Sequence, residues 1–538
     1  MMQEVLSHAG DAGEGVALAA SLAYALVLML LLPFGAHRLV MLWRRLRRPP
    51  IGLPERWIGE LPHVTVQLPV YNEANVVGRL IDAACSLDYP SDRLQIQLLD
   101  DSTDETTAIA AARVAAWRRR GRRIEHLCRG SRCGYKAGAL AHGLRRAQGD
   151  FLLVLDADFV PEPDLLRRLL PPFTDARVGM VQAAWSYLNE EDGWLTRAQT
   201  LLLDGHFQIE HEARFRTGLF FNFNGTAGMW RRACVEDAGG WRAATLTEDL
   251  DLSYRAQLAG WRFVFLSNVQ VPSELPAEMR AVEVQQERWA QGGVQTARLL
   301  LPRIWRSPHS LATKAEATAH LLGHIVHPVT LLLAAALSVL AFSGAGRDWL
   351  PAWLHVLGVS AATLPFVAFA ALAGLQRDIP LRELPRRVVE ALALGVGLGV
   401  PLTWAVARGA LGGDTPFVRT PKEGERTVRR YRAAPHVAPA AWRAVAGLSL
   451  GVAAVFLVGS GAFAPALLTG LFAAGYIATT WAGLRGNRFD AQESQEGAVD
   501  RQADEERLGP ASRRLVGVQP PVRHEDGAAE QQPGTAAA

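Results

Sequence analysis

The strongest constraint on this chain is the way its apolar residues are sorted along it. Positions 15–43 are almost wholly apolar and run into Arg44, Arg45, Arg47 and Arg48. A bilayer core needs about 20 consecutive apolar helical residues, and basic residues just beyond such a run favour the cytoplasmic side. Glu4, Asp11 and Glu14 stand where a cleaved signal peptide would carry basic residues. The run therefore reads as a membrane span with the N-terminus outside and Arg44 onward in the cytoplasm. After a soluble stretch at 50–315, apolar segments recur at 319–342, 350–375, 388–411, 444–461 and 464–484. The loop 376–387 carries Arg377, Arg382, Arg386 and Arg387, and the loop 412–443 carries Arg419, Lys422, Arg426, Arg429, Arg430 and Arg432. Both belong in the cytoplasm, and they share a side only if the segment between them does not cross. That segment holds Glu390, Pro401, Arg408 and four glycines. It reads as re-entrant or interfacial, which leaves five spans.

Positions 50–315 alternate short apolar runs with longer helical patterns. Val64–Leu68, Leu94–Leu99 and Phe151–Leu155 have the length and composition of buried strands. Such alternation predicts an α/β domain with a mainly parallel sheet. From 485 the chain turns polar, with Glu493, Glu496, Asp500, Asp504, Glu505 and Glu506, and is expected to be a disordered cytoplasmic tail. A net charge of +3, its basic residues placed where topology needs them, excludes a nucleic-acid-binding stripe. Cys85, Cys128, Cys133 and Cys234 show no zinc-type pairing and are expected to be reduced and buried. Of 56 basic residues only Lys136, Lys314 and Lys422 are lysines, marking positions where a compact ammonium is wanted.

The acidic and polar clusters fall at strand ends and helix starts. The first strand runs into Tyr71-Asn72-Glu73 and the second into Asp100-Asp101-Ser102-Thr103-Asp104, at the carboxyl ends where open α/β sheets bind ligands. The second cluster reads equally as a helix cap. The strand at Phe151–Leu155 delivers Asp156-Ala157-Asp158, whose two carboxylates need a bend to face one site. Carboxylate oxygens of this kind suit Mg²⁺ or Mn²⁺ on a leaving diphosphate. Thr247-Glu248-Asp249 opens an amphipathic helix, where acids cap free N–H groups. Asp249 in a cleft would equally serve as a general base. Gln285, Arg288 and Trp289 share a helical face. They offer a hydrogen bond, a guanidinium fork and a flat apolar surface, or else the anchor of an interfacial helix.

Taken with Gly134-Tyr135-Lys136-Ala137-Gly138, Phe223-Asn224-Gly225-Thr226-Ala227-Gly228 and Gly239-Gly240-Trp241, these segments resemble processive inverting glycosyltransferases of family 2, the cellulose synthase superfamily. The chain is most similar to the cellulose-synthase-like A and C branches, which make glucomannan, mannan or xyloglucan backbones. The resemblance implies a Rossmann-like α/β GT-A domain on the cytoplasmic side, joined to an α-helical transmembrane bundle. The expected division is a span and basic anchor at 1–48, the GT-A domain at 49–280 and interfacial QxxRW helices at 281–318. A transmembrane region at 319–484, with a cytoplasmic gating-type loop at 412–436, and a tail at 485–538 complete it. By the same resemblance Asp249 is the catalytic base, and Tyr71, Glu73, Asp100, Asp101, Lys136, Asp156, Gln285 and Arg288 bind the nucleotide sugar. Asp158 holds Mg²⁺ or Mn²⁺ and Trp289 stacks on the acceptor. Phe417, Thr420 and Lys422 belong to the gating loop.

The implied activity is transfer of a hexose from GDP-mannose or UDP-glucose to a growing β-linked polysaccharide that is extruded across the inner (plasma) membrane. A single transfer to a membrane lipid such as diacylglycerol is the alternative. The lipid bilayer, a nucleotide-sugar donor and a polysaccharide or lipid acceptor are the expected partners, with room for accessory export subunits and no nucleic acid.

Overall fold

The computed structural model describes residues 2–343, 351–413 and 437–484. The gating-loop residues Phe417, Thr420 and Lys422 and the tail from 485 lie outside the described residues. Seven strands form one mixed sheet: β1 (Val64–Val70), β2 (Leu94–Asp100), β3 (Ile124–Cys128), β4 (Phe151–Val154), β5 (Val178–Tyr187), β6 (Gly228–Arg231) and β7 (Arg262–Ser273). Their spatial order is β3-β2-β1-β4-β6-β5-β7. The expected parallel pairing holds among the first four strands and between β5 and β7, while the short β6 runs antiparallel between β4 and β5. The sheet is packed within a hydrophobic core; β4 is apolar throughout, while β1 and β2 alternate apolar residues with buried Thr65, Gln67, Gln95 and Gln97, which pair across the two strands.

Register positions what matters. Val70 of β1 lies opposite Asp100 of β2, and Gln67 of β1 lies opposite Val154 of β4. The loops after these three strands therefore leave the same edge of the sheet. β1 pairs with β2 on one side and β4 on the other, so this edge contains the switch point where ligands bind in open α/β sheets.

Among the described residues, five helices are long and apolar enough to cross a membrane: Gly15–Arg47, Gly323–Phe342, His355–Gln376, Ala441–Gly459 and Phe463–Leu484. Tyr24, Leu28 and Leu31 of the first pack with Leu333, Leu337 and Tyr476 in a common core. Leu448, Val455 and Phe463 are 66%, 72% and 70% exposed, an outward apolar face of the kind that lipid covers. The segment expected not to cross is two helices, Leu384–Gly397 and Gly399–Leu411, bent by 48°. Its anomalous charges have partners elsewhere in the chain: Glu390 pairs with Arg197 at 2.9 Å, and Arg408 with Glu287 at 2.8 Å. Those partners belong to helices at Trp194–Asp204 and Met279–Arg306.

The expectation of four buried cysteines is corrected. Cys85 and Cys234 are buried, whereas Cys128, the last residue of β3, and Cys133, on the loop that follows, are exposed, and all four are free thiols.

Candidate active site

One cleft at the carboxyl edge of the sheet is lined by Tyr71, Glu73, Asp101, Lys136, Asp156, Asp158, Asp249, Gln285, Arg288 and Trp289. Ten residues spread over more than 200 positions thus meet at one place, although sequence spacing alone relates only the last three. Asp156 and Asp158 both reach the cleft because Phe159 N–H donates to Asp156 O at 3.1 Å, closing a turn that supplies the bend. The loop before β6 packs on that strand end: Asp156 N–H donates to Thr226 Oγ1 at 2.8 Å, and Ala227 N–H to Val154 O at 2.9 Å.

Lys136 ties the two loops together. Its Nζ donates to Asp156 Oδ1 at 2.5 Å and to Gly225 O at 2.9 Å. Burial alone would lower its pKa, but Asp156, Glu248 and Asp249 raise it above the ordinary value, so the ammonium stays charged. Gly225 has φ +80°, and a Cβ built there would lie 3.1 Å from Asp249 Oδ2 and 3.5 Å from Lys136 Nζ. Only glycine lets the backbone carbonyl reach the lysine at this crowded point.

Asp249 stands in the first turn of the helix Glu248–Leu258. Thr247 makes no side-chain cap; Asp249 Oδ1 accepts from Leu250 N–H at 2.8 Å. Burial, and next the Glu248 carboxylate, push Asp249 up to about 7, against the opposite pull of Lys136, the Leu250 N–H and Arg288. A carboxylate poised there can take a proton near neutral pH. The loop leading into the helix of Asp249 is fastened to the helix Met279–Arg306, which carries Gln285, Arg288 and Trp289. Leu246 N–H donates to Gln295 Oε1 at 3.0 Å, and a Cβ on Gly292 would fall 2.5 Å from Thr247 Oγ1.

At the other end of the cleft, Asp101 is held by Arg129, whose Nε donates to Asp101 Oδ1 at 2.8 Å. Arg132 stacks over the Tyr71 ring, 3.4 Å from its centroid, and lies 4.9 Å from that of Tyr135. Asn72, Tyr135 and Ala227, each adjacent to a cleft-lining residue, have positive φ of 54°, 49° and 52°. Such strain costs about 1–3 kcal/mol per residue and gathers where loops are held for function.

Asp100 is a correction. Its carboxylate is fully buried and does not line the cleft. It accepts from Ser102 N–H at 2.8 Å and lies 2.8 Å from His126 Nε2. Burial would raise its pKa, yet hydrogen bonds from His126, Ser102 and Thr107 hold it below the usual range. Asp100 braces the loop that presents Asp101 through its bond from Ser102 N–H. Sequence reasoning missed Arg129, Arg132 and Glu248. The two arginines sit just before the Gly134–Gly138 segment, and their nearness to it was the available signal.

The carboxylates of Asp156 and Asp158 fit a hard divalent ion. Both line the cleft, the Asp156 side chain is one-third exposed, and the donor atoms are oxygens.

Residues 62–292 match the family described as "Glycosyltransferase like family 2". Glucomannan 4-beta-mannosyltransferase 2 of Arabidopsis thaliana is 45% identical over 254 residues, 46% of this chain and 48% of its own length. Glucomannan 4-beta-mannosyltransferase 1 of Oryza sativa subsp. japonica is 42% identical over 274 residues, 49% of this chain and 52% of its own. The chain thus spans about half the length of the curated relatives it matches. The solved structure of mannosyltransferase PcManGT from Pyrobaculum calidifontis, in complex with GDP-Man and Mn²⁺, gives a TM-score of 0.49 at 21% identity, covering 75% of this chain and 100% of that one.

Proposed function

We infer, for a chain whose residues 62–292 are a family 2 glycosyltransferase domain with the GT-A fold, that it is a membrane-embedded inverting hexosyltransferase building a β-linked polysaccharide. The observation that carries this reading is the position of Asp249, buried enough to titrate at about 7 and sharing one cleft with Asp156, Asp158, Arg288 and Trp289. A hexose donor needs its diphosphate neutralised and its sugar held for attack from the opposite face. The cleft supplies both kinds of group.

In the proposed reaction Asp101, Tyr71 and Glu73 receive the nucleotide, and Gln285 and Arg288 bind the diphosphate. Asp158, with Asp156, would hold Mg²⁺ or Mn²⁺, which when bound offsets the charge of the leaving diphosphate. Trp289 supports the acceptor sugar by stacking. The acceptor hydroxyl gives its proton to Asp249 as its oxygen bonds to the anomeric carbon, and the nucleoside diphosphate leaves from the other face. An α-linked donor thereby yields a β-glycosidic bond. Placement and charge compensation account for most of the acceleration.

GDP-mannose is the first donor to test, because the relatives matched are named as mannosyltransferases, and UDP-glucose is the second. The apolar helices favour extrusion of the product through the membrane, and the arginines that follow the first span favour a cytoplasmic cleft. The purified chain in lipid nanodiscs, given each labelled donor with Mg²⁺ or Mn²⁺, should make a polymer cut by a linkage-specific β-hydrolase. Asp249→Asn should bind donor and transfer nothing. A product confined to one sugar on lipid would replace the polysaccharide reading by single transfer, and undiminished synthesis by Asp249→Asn would remove Asp249 as the base.

A further inference from the structure

Three side chains of different chemistry converge at the carboxyl ends of β2 and β3. In the parallel register Leu98 lies opposite His126 and Asp100 opposite Cys128. Residues two apart on a strand point the same way, and in-register partners share a face, so Asp100, His126 and Cys128 are brought to one face by topology alone. A carboxylate oxygen of Asp100, a ring nitrogen of His126 and Sγ of Cys128 all lie within 4.8 Å of one another. His126 Nε2 is 2.8 Å from Asp100 Oδ2 and 3.6 Å from Cys128 Sγ.

One ring nitrogen is therefore asked to serve two partners. Nε2 carries either one hydrogen or one lone pair, so it bonds properly with the carboxylate or with the sulfur, not with both. A cation placed between the three atoms would engage all of them at once. Asp100 Oδ1 would keep its bond from Ser102 N–H, made by the other carboxylate oxygen. Zinc-type bonds of about 2.0–2.3 Å in a tetrahedron separate nitrogen and sulfur donors by about 3.6 Å. The sulfur is already at that spacing from the nitrogen, the oxygen moves away from the nitrogen by about half an ångström, and the oxygen and sulfur, which lie within 4.8 Å of each other, close on the ion. Cys128 is exposed, so an ion can enter and a fourth position faces solvent.

We propose that Asp100, His126 and Cys128 form a site for a borderline-soft divalent cation of the zinc class, with water as fourth ligand. It is separate from the hard-oxygen pair Asp156 and Asp158, because a thiolate and an imidazole select against Mg²⁺ and Mn²⁺. Its occupancy is linked to the donor end of the cleft through adjacent residues. Arg129 follows Cys128 and holds Asp101, while Asp100 braces Ser102. An ion fixing Cys128 and Asp100 stiffens both supports of Asp101.

The test uses the full chain in detergent micelles, stripped by chelator and titrated with Co²⁺. The expected result is a thiolate-to-cobalt charge-transfer band and tetrahedral visible bands that saturate at one equivalent and are displaced by Zn²⁺. Cys128→Ser should abolish the charge-transfer band, and His126→Gln should weaken the ion's affinity by about 10- to 100-fold or more. Cys133→Ser and Asp158→Asn should leave the band in place, which separates this site from the neighbouring thiol and from any ion used in sugar transfer. No band from the unmodified chain at stoichiometric Co²⁺, or a band that survives Cys128→Ser, overturns the proposal. Neither result depends on whether the chain transfers sugar.

Discussion

Replacing Lys136 by methionine removes an ammonium that touches both the Asp156 loop and the Gly225 loop. A Cβ built on Gly225 lies 3.1 Å from Asp249 Oδ2 and 3.5 Å from Lys136 Nζ. The two charges are therefore within about 6.6 Å, worth about 0.6 kcal/mol or more in bulk water and about 2.5 kcal/mol at an effective dielectric constant of about 20. At about 1.4 kcal/mol per pKa unit, losing Lys136 raises Asp249 by about half a unit to two units. Asp249 stands at about 7 with the lysine present. A base must be deprotonated to act, so transfer increases as pH rises through its pKa. The acid limb of kcat/KM, measured with labelled donor in nanodiscs, should have its midpoint near 7 in the unmodified chain. In Lys136→Met it should move up by half a unit to two units. Lys136→Arg keeps the charge in a bulkier, planar form, so its rate should fall while the midpoint stays near 7. A methionine variant with measurable activity and an unmoved acid limb refutes the reasoning, because then either Asp249 is not the titrating base or Lys136 does not balance it.

Arg129→Ala deprives Asp101 of its guanidinium partner and should weaken GDP or UDP binding, read by calorimetry, about tenfold or more; Arg129→Lys should recover only part, because the fork geometry is lost. Equal nucleotide affinity in all three proteins would detach Asp101 from nucleotide binding. Gly225→Ala places a Cβ against Asp249 at φ +80° and should cost about 1–3 kcal/mol of stability along with most of the transfer rate; an active, equally heat-resistant variant counts against the crowding described here. Asp249→Asn should be the more stable protein above neutrality. The folded chain keeps the Asp249 proton up to about 7, whereas the unfolded chain loses it near the ordinary carboxylate value, so stability falls as pH climbs between the two. The apparent Tm of Asp249→Asn should match the parent at pH 4 and exceed it at pH 8, where the stability difference is on the order of 1–3 kcal/mol after allowing for partial exposure. No gap at pH 8 would mean that Asp249 is not held at a raised pKa.

What could be read in advance follows from periodicity and local composition. β4 is a buried apolar run and β1 and β2 alternate apolar with polar residues, so all three were legible as strands, whereas β6 spans only Gly228–Arg231 and its reversal depends on its neighbours. Asp100 and Asp101 are adjacent, and strand alternation turns one inward and the other outward without marking which. Only packing on His126 and Thr107 settles that Asp100 is the buried one. Arg129 and Arg132 look like solvated basic residues until Asp101 and Tyr71 arrive from strands earlier in the chain. The odd charges of the 388–411 segment correctly marked it as different from its neighbours. Their partners were out of reach, since Arg197 lies 193 residues from Glu390 and Glu287 lies 121 from Arg408.

Those two ion pairs bear on how the membrane helices and the cleft communicate. On the helix Met279–Arg306, Gln285, Arg288 and Trp289 follow the three- and four-residue spacing that gathers side chains on one face, and all three line the cleft. Glu287, Gln291 and Arg298 also follow helical spacing, but they turn to the helix Gly399–Leu411 and the two residues after it. Glu287 pairs with Arg408, Gln291 Nε2 donates to Gly413 O at 3.2 Å, and Arg298 Nη1 donates to Gly409 O at 3.1 Å. Gly409 makes the approach close: a Cβ there would come within 2.8 Å of Gln291 O. A single rigid helix thus carries cleft groups on one side and holds the bent apolar segment on the other. The second helix of the bent pair is therefore fastened to the helix that carries Arg288 and Trp289, although none of its residues lines the cleft.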